Sequence, residues 1–198
     1  MEIIIIFFLT LLNGFFALSE IALVSVKRSR MEHLAQQGKS TAKTVLGLLE
    51  NPEHFLSSVQ VGITLIGIIS GAYGGATLTD NLEQYIVQFD ALKPHAHTVS
   101  LIIVIGAITY FSIVIGELVP KSIAMNNAES IALFCAPIIK VFTSLTFPFV
   151  KLLSVSTTVI LKIFRIKDNG SETISEDELR FMLKTAGTQG ILEKEESE

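Results

Sequence analysis

Three stretches of this chain, Ile3 to Ser19, His54 to Thr79 and Pro94 to Gly116, contain no Asp, Glu, Lys or Arg. Each approaches the roughly 20 apolar residues that cross a bilayer as a helix. A soluble domain with one core seldom needs three such runs divided by short charged loops. Only 17% of the 198 residues are charged, against about 25% in soluble domains. The sequence therefore predicts an all-α integral membrane fold with three transmembrane helices, and it argues against a soluble enzyme.

The first span is expected to be retained, because Glu2 stands where a signal peptide carries basic residues and the apolar run is too long for one. Lys27, Arg28, Arg30, Lys39 and Lys43 follow span 1, whereas Asp80, Glu83, Asp90 and only Lys93 follow span 2. The positive-inside bias puts residues 27 to 50 in the cytoplasm and 80 to 93 outside. A multi-pass protein of the cell membrane is expected, with its N-terminus outside and its C-terminus cytoplasmic. The net charge of −4 divides unevenly, +2 over residues 1–167 and −6 over residues 168–198. No basic stripe interleaved with aromatics occurs, so nucleic acid is not an expected partner. The single Cys135 cannot form an intrachain disulfide and is expected to be a packing residue.

Residues 1–128 read as the three-span core, 129–167 as a juxtamembrane belt and 168–198 as a cytosolic linker with a short helix. In the belt, Lys140, Lys151 and Lys162 recur every 11 residues and would line one stripe of a helix. Pro137 and Pro148 repeat at the same interval and are expected to break the segment into short amphipathic helices at the interface. The alternative is a further helical hairpin across the membrane. Beyond Lys167, Asp168-Asn169-Gly170-Ser171 reads as linker, and Ser175-Glu176-Asp177-Glu178 as a capping box opening a helix over about 176–184.

Ionisable residues inside a span are functional candidates by default, and here they are Glu20 and Glu117. At 1.5 Å per residue from Lys27 and Lys121, both fall in the cytoplasmic half, Glu20 roughly 10 Å along its helix. Pro120 has no N–H to offer the carbonyl of Gly116, so a carbonyl and the Glu117 carboxylate adjoin. Such hard oxygens suit Mg²⁺, Ca²⁺ or Na⁺, and broken transporter helices expose backbone oxygens to ions. The plain alternative is a Pro kink with Glu117 paired to Lys121 or reaching the interface.

In span 2, Gly67, Gly71 and Gly75 form a tandem small-xxx-small face, predicting close approach by another helix, with Ser70 entering the same surface. In span 1, Asn13 and Glu20 share a face, while Ser19 points about 100° away and can bond back to its own helix. His95-x-His97 with Asp90 offers ligands to a transition metal on the outer side, but an exposed His pair in a loop reads most simply as solvated. Neither a P-loop nor the residues of an intramembrane protease are present.

Asn13-Gly14-Phe15-Phe16-Ala17-Leu18-Ser19-Glu20-Ile21-Ala22, the Ser70-Gly71 region and Gly116-Glu117-Leu118-Val119-Pro120-Lys121 together resemble the transmembrane domain of the CorC/CNNM (cyclin M-like) magnesium transporters. Ile174 to Leu179 and Gly190 to Glu193 are similar to that family's approach to a cytosolic CBS-domain pair. The resemblance implies a homodimer in the lipid bilayer and Mg²⁺ export coupled to Na⁺ entry by alternating access. It also implies a cation site made by the hydroxyls of Ser19 and Ser70, backbone oxygen near Gly67 and Gly116, and the Glu117 carboxylate. Asn13, Glu20, Gly71, Pro120 and Lys121 would support it, and nucleotide would bind only through the CBS module. A different reading is a membrane-anchored sensor or scaffold whose spans only dimerise.

Overall fold

The computed structural model describes residues 1–164, and the chain divides into a compact unit Met1–Ser154 and a second, Val155–Glu198. The expected capping-box helix and linker lie outside the described residues. Among the described residues the structure is helical, without strands: α1 (Glu2–Ser25), α2 (Arg28–Gln36), α3 (Ser40–Leu49), α4 (Pro52–Ile86), a short 3₁₀ turn (Lys93–His95), α5 (Ala96–Ile113), a π-helical turn (Val114–Leu118), α6 (Val119–Asn126) and α7 (Ala128–Ile163). Each charge-free run lies within one helix or one helical succession. Among the described residues four segments are long and apolar enough to cross a bilayer, Glu2–Ser25, Pro52–Ile86, Lys93–Asn126 and Ala128–Ile163. Ile4, Phe8, Leu65, Ile68, Ile102 and Phe111 turn outward from α1, α4 and α5, as helices facing lipid do.

Within the first unit, α1 and α4 run antiparallel. Gly62 of α4 lies against Phe16, and Gly74, twelve residues on, lies against Ile6 and against Ile108 of α5. A methyl group at Gly74 would strike the end of the Ile108 side chain, which would have to move to admit it. The buried stripe of α4 is Phe55, Val59, Gly62, Ile66, Ser70 and Gly74, a three-to-four-residue repeat. Within the protomer this is a different face from that of Gly67, Gly71 and Gly75. Nothing approaches Gly67 or Gly71 within 4 Å, and Gly75 meets only Leu101. Ser70 therefore faces the protein interior rather than sharing a surface with Gly67.

The largest core cluster lies where the second half of α1, the start of α4 and helices α2, α3 and α7 meet, with Leu23, Met31, Val45, Phe55, Val59 and Ile139 at its centre. Helix α7 corrects the expectation of several short helices, since it continues through both Pro137 and Pro148. Each proline removes only one backbone hydrogen bond, the donor to the carbonyl four residues earlier. Ala132, Cys135, Ala136 and Ile139, all fully buried on one face, dock the helix as a unit. Glu129 pairs with Arg30 at 3.1 Å, Phe142 packs on Phe16, and Phe147 stacks on His54. Arg30 follows α1 and His54 opens α4, so both lie at one end of the bundle. The 18 residues from Glu129 to Phe147 cover about 27 Å of helix, and between these two contacts Phe142 reaches Phe16 inside the bundle.

Candidate functional site

The site begins with the covalent chemistry of Pro120. Lacking an N–H, it cannot continue the α-helical ladder from α5, and the backbone widens into a π turn in which the Val119 N–H reaches back five residues to the Val114 carbonyl. The Gly116 carbonyl instead accepts a hydrogen bond from Asn13 Nδ2 of α1 at 3.0 Å. Two glycines permit this interhelical contact. A Cβ on Gly14 would stand 3.1 Å from Pro120 Cγ and 3.3 Å from the Ile115 carbonyl oxygen, and one on Gly116 would stand 3.2 Å from both Asn13 Nδ2 and the Thr10 carbonyl oxygen.

Asn13 is 5% exposed, and its Oδ1 has no hydrogen-bond partner. A buried amide oxygen left in this state is costly, on the order of 1–3 kcal/mol. It lies on the same side-chain amide that caps Gly116, so an unclaimed acceptor adjoins a carbonyl to which Pro120 cannot donate.

One turn further on, the two intramembrane carboxylates converge on one ammonium. Lys121 Nζ lies 2.9 Å from Glu117 Oε1 and 3.5 Å from Glu20 Oε2. The three side chains are part-buried, with Glu20 at 20% exposure and Glu117 at 41%. They carry two negative charges and one positive. The ammonium thus leaves one charge of the pair uncompensated within the group.

Ser19 is fully buried and donates its hydroxyl to the Phe15 carbonyl at 2.7 Å, the back-bonded alternative. Ser70 is 2% exposed, between Ile66 and Gly74 on the inner stripe of α4. The hydrogen bonds and ion pairs therefore bring together Asn13, Gly116, Pro120, Glu20, Glu117 and Lys121. Ser19 bonds back into α1, and Gly67 and Gly71 lie on the open face of α4.

Two connections go beyond the sequence reading: Asn13 as donor to the Gly116 carbonyl, and Glu20 as second partner of Lys121. Their signal was the common face of Asn13 and Glu20, set beside a proline-freed carbonyl and a lysine five residues after it. His97 also departs from its expected grouping with His95 and Asp90, pairing instead with Glu83.

The sequence profile of the CNNM family, described as the cyclin M transmembrane N-terminal domain, matches residues 3–196. This chain belongs to that family. It is 43% identical over its whole length to UPF0053 protein sll0260 of Synechocystis, covering 44% of that protein. It is 35% identical to UPF0053 protein YhdP of Bacillus subtilis, over 90% of this chain and 39% of the relative. It is also 32% identical to the uncharacterized protein Rv1841c of Mycobacterium tuberculosis, over 93% of this chain and 53% of the relative. The chain thus spans about half or less of the relatives it matches. With its outward-facing apolar helices, family membership makes it a multi-pass membrane protein.

Proposed function

We propose that this chain is the membrane domain of a divalent-cation transporter that exports Mg²⁺ in exchange for entering Na⁺, with Glu117 as the charged ligand of an intramembrane site. The supporting observation is the clasp between α1 and the π turn: the carbonyl of Gly116 is held by the Asn13 side chain, and Glu117 is held by Lys121. Both restraints are exchangeable. Rotation of Asn13 and withdrawal of Lys121 would expose the Gly116 carbonyl, the Asn13 amide oxygen and two carboxylates, the hard oxygen donors Mg²⁺ takes. The hydroxyls of Ser19 and Ser70 and the backbone at Gly67 complete the ligand set that the family resemblance implies, through movement of α4 against α1. Lys121 then acts as the counter-cation of the ion-free state, and Na⁺ competes for the same oxygens.

The clasp end faces the cytoplasm in this reading, as the loop cations require. The N-terminus is then outside, and α7 lies in the cytoplasmic interface of the cell membrane as a belt instead of crossing. Gly67 and Gly71, which meet nothing in the protomer, leave a small-residue face for a second copy in a homodimer. Nucleotide control belongs to a CBS module outside this chain. The scaffold reading shares that dimer face but gives the carboxylates no task.

Flux separates the two. In proteoliposomes loaded with a fluorescent Mg²⁺ indicator, an opposing Na⁺ gradient should drive Mg²⁺ movement in the native protein and not in Glu117→Gln. Equal flux in both, or none above empty liposomes, overturns the proposal.

A further inference from the structure

At the opposite end of the bundle from Glu117, the end of α4 and the start of α5 bring Asp80, Glu83 and His97 together. One oxygen from each carboxylate and one imidazole nitrogen all lie within 4.8 Å of one another. Asp80 and Glu83 are three residues apart on α4 and share a face. His97 stands opposite in the first turn of α5, its Nδ1 2.7 Å from Glu83 Oε2.

Two observations distinguish this cluster from a surface ion pair. Asp80 makes no ion pair with a lysine or arginine among the described residues. Its carboxylate is nevertheless held beside a second one, an arrangement that a nearby cation relieves. Thr79 lies four residues before Glu83, on the same face and one turn further into the bundle. It is 1% exposed, and its hydroxyl has no hydrogen-bond partner. Buried hydroxyls are ordinarily satisfied by protein or water, so an acceptor stands unclaimed at the inner edge of the cluster.

We propose that Asp80, Glu83 and His97 bind a divalent first-row transition cation of the Zn²⁺ or Mn²⁺ type. The donor set decides the class: an imidazole nitrogen with carboxylate oxygens suits these ions, whereas Mg²⁺ takes oxygen alone. Donors about 2.0–2.2 Å from a common ion stand roughly 3–4 Å from each other, so the wider pairs must close by about 1–2 Å while the 2.7 Å Glu83–His97 pair opens slightly. Three protein ligands leave positions for water. A bound ion would tie the end of α4 to the start of α5, fixing the loop between them. This site is independent of Glu117 and does not rest on the transport reading.

Zn²⁺ is the probe, titrated calorimetrically into the tag-free chain in lipid nanodiscs. One saturable site per protomer is expected, weakened tenfold or more by Asp80→Asn and by His97→Gln and unchanged by Glu117→Gln. X-ray absorption at the zinc edge of the loaded native protein requires no variant to fold and should show one imidazole with oxygen donors. Absence of saturable binding, affinity unmoved by the two variants, loss in Glu117→Gln, or sulfur or a second imidazole in the zinc shell would overturn the proposal.

Discussion

The clasp at Gly116 makes a quantitative prediction about two residues distant in sequence. Asn13 donates to the Gly116 carbonyl at 3.0 Å because Pro120 cannot. Replacing Asn13 by Ala removes that donor from a buried carbonyl that Pro120 cannot serve, a penalty of up to about 1–3 kcal/mol. Interhelical hydrogen bonds in membranes are measured at about 0.6 kcal/mol on average and 1.7 at most, and the same change also removes the unpartnered Oδ1. The net loss should therefore be about 1 kcal/mol. Pro120→Ala restores a backbone N–H within reach of the freed carbonyl, so in that background Asn13→Ala should cost close to nothing. The predicted coupling of about 1 kcal/mol is roughly a fivefold change in the unfolding constant. Reversible unfolding of the four proteins in mixed detergent micelles measures it. Distant independent sites add within about 0.3–0.5 kcal/mol, so an additive cycle would refute the claim that Asn13 substitutes for the proline's missing donor.

The glycines of α4 should divide by face. Gly74→Val, directed at Ile108 and Ile6, should destabilise the protomer by about 1–3 kcal/mol through overpacking, whereas Gly71→Ala, which meets nothing within 4 Å, should leave its unfolding midpoint unchanged or raised and act only on dimer dissociation, followed by energy transfer between labelled copies. Lys121→Met frees Glu20 and Glu117 from their shared ammonium, and calorimetry should find Mg²⁺ bound more tightly than in the native protein. The Arg30–Glu129 pair is more than 40% exposed on both sides, so Arg30→Ala should cost no more than about 1 kcal/mol and should leave α7 helical by circular dichroism.

The spans were legible because the absence of charge over Ile3–Ser19, His54–Thr79 and Pro94–Gly116 leaves few alternatives to a bilayer. Which face of α4 packs inward was not. Gly67, Gly71 and Gly75 repeat every four residues, as do Gly62, Ile66, Ser70 and Gly74, and a helix apolar on nearly every side offers no polarity to choose between them. The breaks expected at Pro137 and Pro148 failed because a proline acts locally, while the small-residue face of α7 from Ala132 to Ile139 is held by the whole core beneath it. At the candidate site, Pro120 and Glu117 were visible as chemistry. Lys121 was visible as a neighbour of Glu117, but its reach to Glu20 depends on how two parallel helices are set side by side, which no single-helix periodicity encodes.

The central claim is that Glu117 contributes to a cation site that Lys121 occupies when the ion is absent. Its most direct test is calorimetric titration of Mg²⁺ into the detergent-solubilised protein, with and without high Na⁺, beside Glu117→Gln. Saturable binding that weakens in Na⁺ and disappears in the variant is the predicted result. Binding of equal strength in the native and Glu117→Gln proteins, or none in an intact native dimer, would contradict it.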